Sequence, residues 1–104
     1  MKFDEFQDKV EMWSAQRGIY DHSDAKSQAL KTVSEVGEMC DNLIKGRDIT
    51  DDIGDIIVTI LNVAFLSNID MEDAFDKAWD DIKYRQGYMV EGGAFIKSDD
   101  QYEV

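Results

Sequence analysis

The chain has 104 residues, a length that suits one domain with a single core and excludes two independent domains. Hydrophobic residues make up 43% and charged residues 33%, which is the composition of a folded protein and not of a disordered chain. The net charge of −12 would repel nucleic acid and anionic lipid, so we expect neither nucleic acid nor a membrane as a partner.

Three features bear on the compartment. The single cysteine, Cys40, cannot form a disulfide within the chain, which fits a reducing environment. The first ten residues are charged and do not resemble a signal peptide, and the apolar run from Ile56 to Leu66 is too short to span a bilayer. We therefore expect a cytoplasmic protein.

The first half of the chain predicts two helices. Apolar residues recur at helical spacing over about residues 4–17, and Gly18 is a natural stop. A polar connector over 20–24 leads to a second helix over about 25–45, which Lys45 and Gly46 end. The predicted apolar face of this second helix consists of Leu30, Val33, Gly37, Cys40 and Ile44.

The second half predicts two more helices and a tail. The third, over about 51–66, is apolar around more than half its circumference and should therefore be largely buried. The fourth covers about 71–86, and residues 87–104 form an irregular tail or a short hairpin. The absence of proline and the short connections predict an all-α domain over 1–104, an antiparallel four-helix bundle with its helical core at about 4–86.

A pair of glutamates on the second helix is the first candidate for chemistry. Glu35 and Glu38 are one turn apart and can bind one cation together, on a face that also carries Lys31. Taken alone, such a pair is more typical of a solvated surface.

The third helix changes that interpretation. Asp52 and Asp55 belong to its narrow polar stripe, together with Thr59 and Asn62. Buried carboxylates must be neutralised, paired or bound to a metal. Because the neighbouring second helix contributes further carboxylates, the four acids should repel each other unless a divalent ion lies between them.

The composition of this ligand set indicates which metal would bind. All donors are oxygens, which suit Mg²⁺, Mn²⁺ or Ca²⁺. The only histidine, His22, lies in a connector, which argues against a zinc site and against a di-iron site built on Glu-x-x-His pairs.

A magnesium site with open positions favours phosphate chemistry. The cations available to contact phosphate are Lys31, Lys83 and Arg85, and Tyr88 lies close to the basic end of the last helix as a candidate base or ribose contact.

Two segments carry a resemblance to a known family. The sequence SEVGE at 34–38 and the sequence DDIGD at 51–55 resemble the EExxE and ExxD motifs of MazG-like, all-α nucleoside triphosphate pyrophosphohydrolases. The likeness covers roughly residues 25–90. Ser34 replaces the first glutamate of EExxE, and Asp52 replaces the glutamate of ExxD.

The resemblance implies a fold, a reaction and an assembly. The implied reaction converts a (deoxy)nucleoside triphosphate and water to the monophosphate and pyrophosphate, with Mg²⁺ as cofactor and Mn²⁺ as a possible substitute. Members of the family work as dimers or dimers of dimers. The implied metal ligands are Glu35, Glu38, Asp52 and Asp55, with Glu35 or Glu38 as proton acceptor and with Asn62, Lys83 and Arg85 near the nucleotide.

Two other functions remain open from the sequence. An acidic helical protein could mimic nucleic acid, although a mimic would spread its acids over the surface and not place them on the most apolar helix. A degenerate member of the family could bind nucleotide without turnover, which the replacements at Ser34 and Asp52 suggest.

Overall fold

The computed structural model describes residues 1–98. Helices and strands follow in the order α1 (Phe3–Gln16), α2 (Ile19–His22), α3 (Ala25–Ile44), α4 (Thr50–Leu66), α5 (Met71–Ile82), β1 (Gly87–Met89) and β2 (Phe95–Lys97). The chain forms two compact units, Met1–Met71 and Glu72–Val104. The fold is therefore mostly helical, as predicted.

The predicted helix ends follow from local chemistry. The Asp24 carboxylate caps α3 by accepting a hydrogen bond from the Ser27 backbone N–H at 2.7 Å. Gly18 and Gly46 adopt the left-handed conformation, with φ values of 76° and 70°, immediately beyond α1 and α3. Both glycines were predicted as helix stops, and the structure confirms them.

The structure corrects two boundaries in the prediction. The polar connector over 20–24 contains the short helix α2. The last helix ends at Ile82 and not near Gln86. For the predicted tail or short hairpin, the structure has an antiparallel hairpin, in which Tyr88 of β1 faces Ile96 of β2, and positions 99–104 of that prediction lie outside the described residues.

Packing in the first unit centres on α4, which contacts both α3 and α1. Its buried residues are largely polar. In the described chain the buried apolar residues are Val10, Leu61 and Ala64, and the buried polar residues are Ser14, Glu35, Asp52, Thr59 and Asn62. That the four long helices pack together in one bundle remains a prediction.

The sequence predicts that the apolar face of α3 packs in the core, and within a single chain this prediction is wrong. Leu30, Val33 and Ile44 are 71%, 68% and 85% exposed, and Cys40 is exposed as well. The reason is that α3 packs its opposite, polar face on α4, where Glu35 is buried. The prediction that α4 is largely buried is also only partly right, since Ile53 is 50% exposed.

No single helix among residues 1–98 is both long and apolar enough to cross a membrane, although α4 and α5 meet such a criterion of length and composition when counted together.

Candidate active site

The polar faces of α3 and α4 meet in the first unit and form the candidate site. Thr32 Oγ1 donates a hydrogen bond to Thr59 Oγ1 at 2.8 Å, which joins the two helices at one end. Asn42 Nδ2 donates to Asp52 Oδ2, also at 2.8 Å, and joins them at the other end. Glu35 and Asp52 are both buried in this polar layer. Burial of two carboxylates is costly, so the layer has a purpose other than packing.

The four predicted acidic residues influence one another electrostatically. The nearby Glu35 carboxylate is the main cause that raises the pKa of Glu38, and Asp52 adds to the rise. The pKa of Asp55 is also raised, first by loss of hydration and then by the charges of Asp51 and Glu35. The charges of Glu35 and Asp52 thus act on both Glu38 and Asp55, so the four carboxylates lie within reach of one another's electrostatic field.

Lys31 provides a partial counter-charge. Its Nζ lies 3.5 Å from Glu35 Oε1, one helical turn away on α3. It lowers the pKa of Glu38 slightly against the larger effect of the acids. The Lys31 side chain is 59% exposed, so this contact screens the acidic group only in part.

The acidic residues are close in pairs but are not gathered around one point. Within residues 1–98, no three His, Cys, Asp or Glu side chains are placed to hold a metal ion together. The oxygen-only donor set and the raised pKa values of Glu38 and Asp55 fit a hard divalent cation such as Mg²⁺ or Mn²⁺. The ligand assignment itself stays a prediction.

A cavity of about 330 Å³ opens beside the acids. Its walls combine acidic groups, a cation and apolar surface, which is typical of cavities that bind small molecules. Its lining consists of Trp13, Ile19, Ser27, Gln28, Lys31, Glu35, Asp55, Val58, Thr59 and Asn62. Three of the predicted site residues on α3 and α4, Lys31, Glu35 and Asp55, therefore share one cavity with a fourth, Asn62.

A second cavity of about 400 Å³ adjoins the first along α1 and α4. Trp13, Asp55 and Val58 line both cavities, and the remaining lining residues of the second are Met1, Phe6, Lys9 and Val10. Its wall is mostly apolar. Trp13 is 46% exposed and lies beside both cavities, with the Arg17 guanidinium 4.4 Å from the centroid of its ring.

Asn62 is held by two hydroxyl groups that the sequence analysis did not identify. Ser14 Oγ and Tyr20 Oη each donate a hydrogen bond of 2.8 Å to Asn62 Oδ1. Ser14 lies one turn after Val10 on the buried side of α1, and a serine in that position was the available signal. Tyr20 could not be found, because the sequence predicted a polar connector where α2 forms.

The remaining predicted substrate contacts lie in the second unit. Lys83 Nζ pairs with Asp80 Oδ1 at 2.8 Å, and Arg85 pairs with Asp81. Tyr88, on β1, is 52% exposed. Their roles in substrate binding stay predictions.

The fold and the site define a mostly helical protein in which two packed helices bury carboxylates beside a cavity, an arrangement whose oxygen donors suit a hard divalent cation. Comparison of sequences is more specific. The sequence profile of the MazG nucleotide pyrophosphohydrolase domain matches residues 24–90. The chain belongs to this family.

Two phage proteins are similar to the chain. An uncharacterized 18.2 kDa protein in the rep-hol intergenic region of Haemophilus phage HP1 (strain HP1c1) is 32% identical over 63 residues, which are 59% of this chain and 39% of that protein. The cyanophage S-2L MazG-like pyrophosphohydrolase, in a structure with bound dGDP and three catalytic Mn²⁺ ions per active site, superposes with a TM-score of 0.70. That match covers 93% of this chain and 97% of the other at 18% identity, which establishes a shared fold.

Proposed function

We propose that the protein is a divalent-metal-dependent nucleoside triphosphate pyrophosphohydrolase, which converts a (deoxy)nucleoside triphosphate and water to the monophosphate and pyrophosphate. The observation that carries the proposal is the burial of Glu35 and Asp52 between α3 and α4, beside a cavity that Glu35 and Asp55 line. Membership of the MazG family supports it. The S-2L protein, which has the same fold, binds a nucleotide and Mn²⁺.

The metal ligands in this proposal are Glu35, Glu38, Asp52 and Asp55, and the ion is Mg²⁺ with Mn²⁺ as a substitute. When bound, a divalent ion neutralises phosphate charge and lowers the pKa of a bound water molecule. Asn42 holds one oxygen of Asp52 at 2.8 Å, which leaves the other oxygen for the metal.

The protein's own side chains have separate tasks in the reaction. Glu38 is exposed and has a raised pKa, so it is the better placed of the two glutamates to accept the proton of the attacking water, whereas Glu35 is buried. Lys31 at the cavity wall attracts the triphosphate. Lys83 and Arg85 would stabilise the negative charge of the leaving pyrophosphate, once they release Asp80 and Asp81.

The assembly we propose is a homodimer or a dimer of dimers in the cytoplasm, without nucleic acid or membrane partners. The exposed apolar residues Leu30, Val33 and Ile44 on α3 support self-association, because a monomer would leave this row in water. A nucleic-acid mimic is disfavoured, since Glu35 and Asp52 are buried and unavailable to a basic partner.

The test is a direct assay of products. Purified protein is incubated with each common ribonucleoside and deoxyribonucleoside triphosphate and Mg²⁺, and pyrophosphate and monophosphate are measured. We expect equimolar release that EDTA abolishes and Asp52→Asn reduces at least about 100-fold. Asp41→Asn is the matched control, since Asp41 is exposed on α3 and pairs only with Lys45 in the described structure.

Two results would contradict the proposal. Metal-dependent nucleotide binding without pyrophosphate release would indicate a degenerate family member, as Ser34 and Asp52 suggest. Neither binding nor release with any nucleotide would remove the enzymatic assignment altogether.

A further inference from the structure

Asn62, which lines the 330 Å³ cavity, forms a buried polar cluster with Ser14 and Tyr20. Ser14 is 0% and Asn62 is 2% exposed, and Tyr20 is partly buried beside them. The Ser14 and Tyr20 hydroxyl oxygens each lie 2.8 Å from Asn62 Oδ1. Three different helices, α1, α2 and α4, thus hold one amide group.

The chemistry of this cluster fixes which way the amide points. A carbonyl oxygen only accepts hydrogen bonds, so both hydroxyls must donate to Asn62 Oδ1. If the amide were turned over, its N–H groups would face the two hydroxyls. Even if the Ser14 hydroxyl then donated to Tyr20, at least one hydroxyl proton would need another acceptor. The Asn62 amide group therefore directs its NH₂ away from Ser14 and Tyr20.

Tyr20 is itself held in place. Its ring stacks on Phe65 with 3.8 Å between the centroids and 14° between the planes. Burial raises the pKa of Tyr20, so the phenol keeps its proton and remains a donor at neutral pH. The support around the Asn62 oxygen is thus rigid and stays in one protonation state.

The Asn62 side chain is part of the cavity wall, on the side of α4 that also carries Asp55. Asn62 lines the cavity together with Asp55, two turns earlier on α4 and so about 10 Å away along the helix. With the phosphates near Asp55, this separation places the nucleoside beside Asn62.

We infer that Ser14 and Tyr20 are positioning residues, which orient the Asn62 amide so that its NH₂ donates to an acceptor atom of the bound nucleoside. The inference rests on the proposed function for the identity of the ligand. A carbonyl oxygen or an unprotonated ring nitrogen of the base, or an oxygen of the sugar, can accept this bond, whereas a base amino group cannot. The cluster would then discriminate between nucleosides before any reaction takes place.

The experiment compares affinities for nucleotides that cannot be hydrolysed. The probes are the α,β-imido analogues of dATP, dGTP, dCTP and dUTP with Mg²⁺, and Kd is measured by calorimetry for the wild type and for a Ser14→Ala/Tyr20→Phe double variant. We expect Kd for the best analogue to rise about tenfold in the double variant. A rise that differs among the four bases assigns the acceptor to the base, and an equal rise assigns it to the sugar.

Controls separate positioning from folding. Ser67→Ala removes a hydroxyl at the exposed end of α4 and should leave all four Kd values unchanged. Asn62→Asp keeps the oxygen that accepts from Ser14 and Tyr20 but removes the NH₂ donor, so it should weaken binding as the double variant does. In the wild type, the Asn62 side-chain amide signal in a ¹H–¹⁵N spectrum should shift when the best analogue is added.

The inference and the proposed function fail in different ways. Unchanged Kd values in the double variant, with helical content and melting temperature preserved, would overturn the inference even if the wild type releases pyrophosphate. An unshifted Asn62 amide signal at saturating analogue would do the same. If the wild type binds the analogues as expected but releases no pyrophosphate from the natural nucleotides, the proposed function fails and the inference stands.

Discussion

Carboxylates that repel one another are the central feature at the scale of single residues. The pKa of Glu38 is raised chiefly by Glu35, and that of Asp55 by loss of hydration and by neighbouring acids. A carboxyl group whose pKa is raised in the folded state contributes most to stability below its unfolded pKa, and this contribution is lost as pH rises through the raised value. At neutral pH without metal, these acids therefore oppose folding.

The first prediction concerns Glu38→Gln. The variant should lose at least about 100-fold in turnover, because a proton acceptor and a metal ligand are both removed. Its melting temperature in EDTA should be equal to or above that of the wild type, since one repelling charge is gone. Glu5→Gln is the matched control, because Glu5 is an exposed partner of Lys9 on α1, away from the acids. A clear fall in melting temperature in EDTA for Glu38→Gln, without a fall for Glu5→Gln, would contradict the conclusion that neighbouring acids repel Glu38.

The second prediction concerns Asn42, which donates to Asp52 Oδ2 at 2.8 Å. Asn42→Ala should weaken Mn²⁺ binding about 10- to 100-fold, as expected when a partner that orients a ligand is lost. Titration of Mn²⁺ followed by electron paramagnetic resonance measures the affinity directly. If Mn²⁺ bound equally well to the variant, Asp52 would not depend on Asn42 for its orientation.

Helices α3 and α4 were largely predictable from the sequence. The predicted ranges 25–45 and 51–66 agree with Ala25–Ile44 and Thr50–Leu66, because caps and glycine stops are local signals. The polar stripe of α4 was also identified. The prediction that the apolar face of α3 packs inside the chain was wrong. Periodicity identifies the two faces of a helix but does not tell which of them packs within the same chain.

Part of the cavity wall could be predicted because its acids form a short-range pattern in the sequence, whereas the contact that α2 makes is long-range and could not. Acids at i and i+3 on two neighbouring helices stand out in the sequence, so Glu35 and Asp55 were identified before the cavity was known. The contact of Tyr20 with Asn62 joins residues 42 positions apart through a four-residue helix. No short-range pattern encodes such a contact.

The third prediction tests the start of α3. The Ser27 backbone N–H lowers the pKa of Asp24, so this carboxylate stabilises the helix above its unfolded pKa, and the effect is lost as pH falls through the lowered value. Asp24→Ala should lower the melting temperature by a few degrees at pH 7. The difference from the wild type should shrink toward zero in strong acid. Asp24→Asn, which keeps an oxygen cap, should behave almost as the wild type at pH 7, and an equal loss in both variants would contradict the capping role.

At the scale of the whole molecule, the first unit has its polar groups inside and much of its apolar surface outside. Glu35 and Asp52 are buried, whereas Leu30 and Ile44 are mostly exposed. Full burial of one leucine or isoleucine stabilises a protein by about 1.5–3 kcal/mol. A second copy that covers α3 would supply this stabilisation, which would offset the cost of the acids in the interior.

The fourth prediction follows from the exposed apolar surface of α3. The wild type should sediment as a dimer or larger species, and Ile44→Glu should shift the population toward monomer at micromolar concentration, because a charge would enter an apolar interface. Gln16→Glu adds the same charge at an exposed position on α1 and is the control. Sedimentation velocity at several protein concentrations measures the distribution. Monomeric wild type at every concentration would contradict the proposed assembly, and an Ile44→Glu variant that sediments as the wild type does would place the interface elsewhere than on α3.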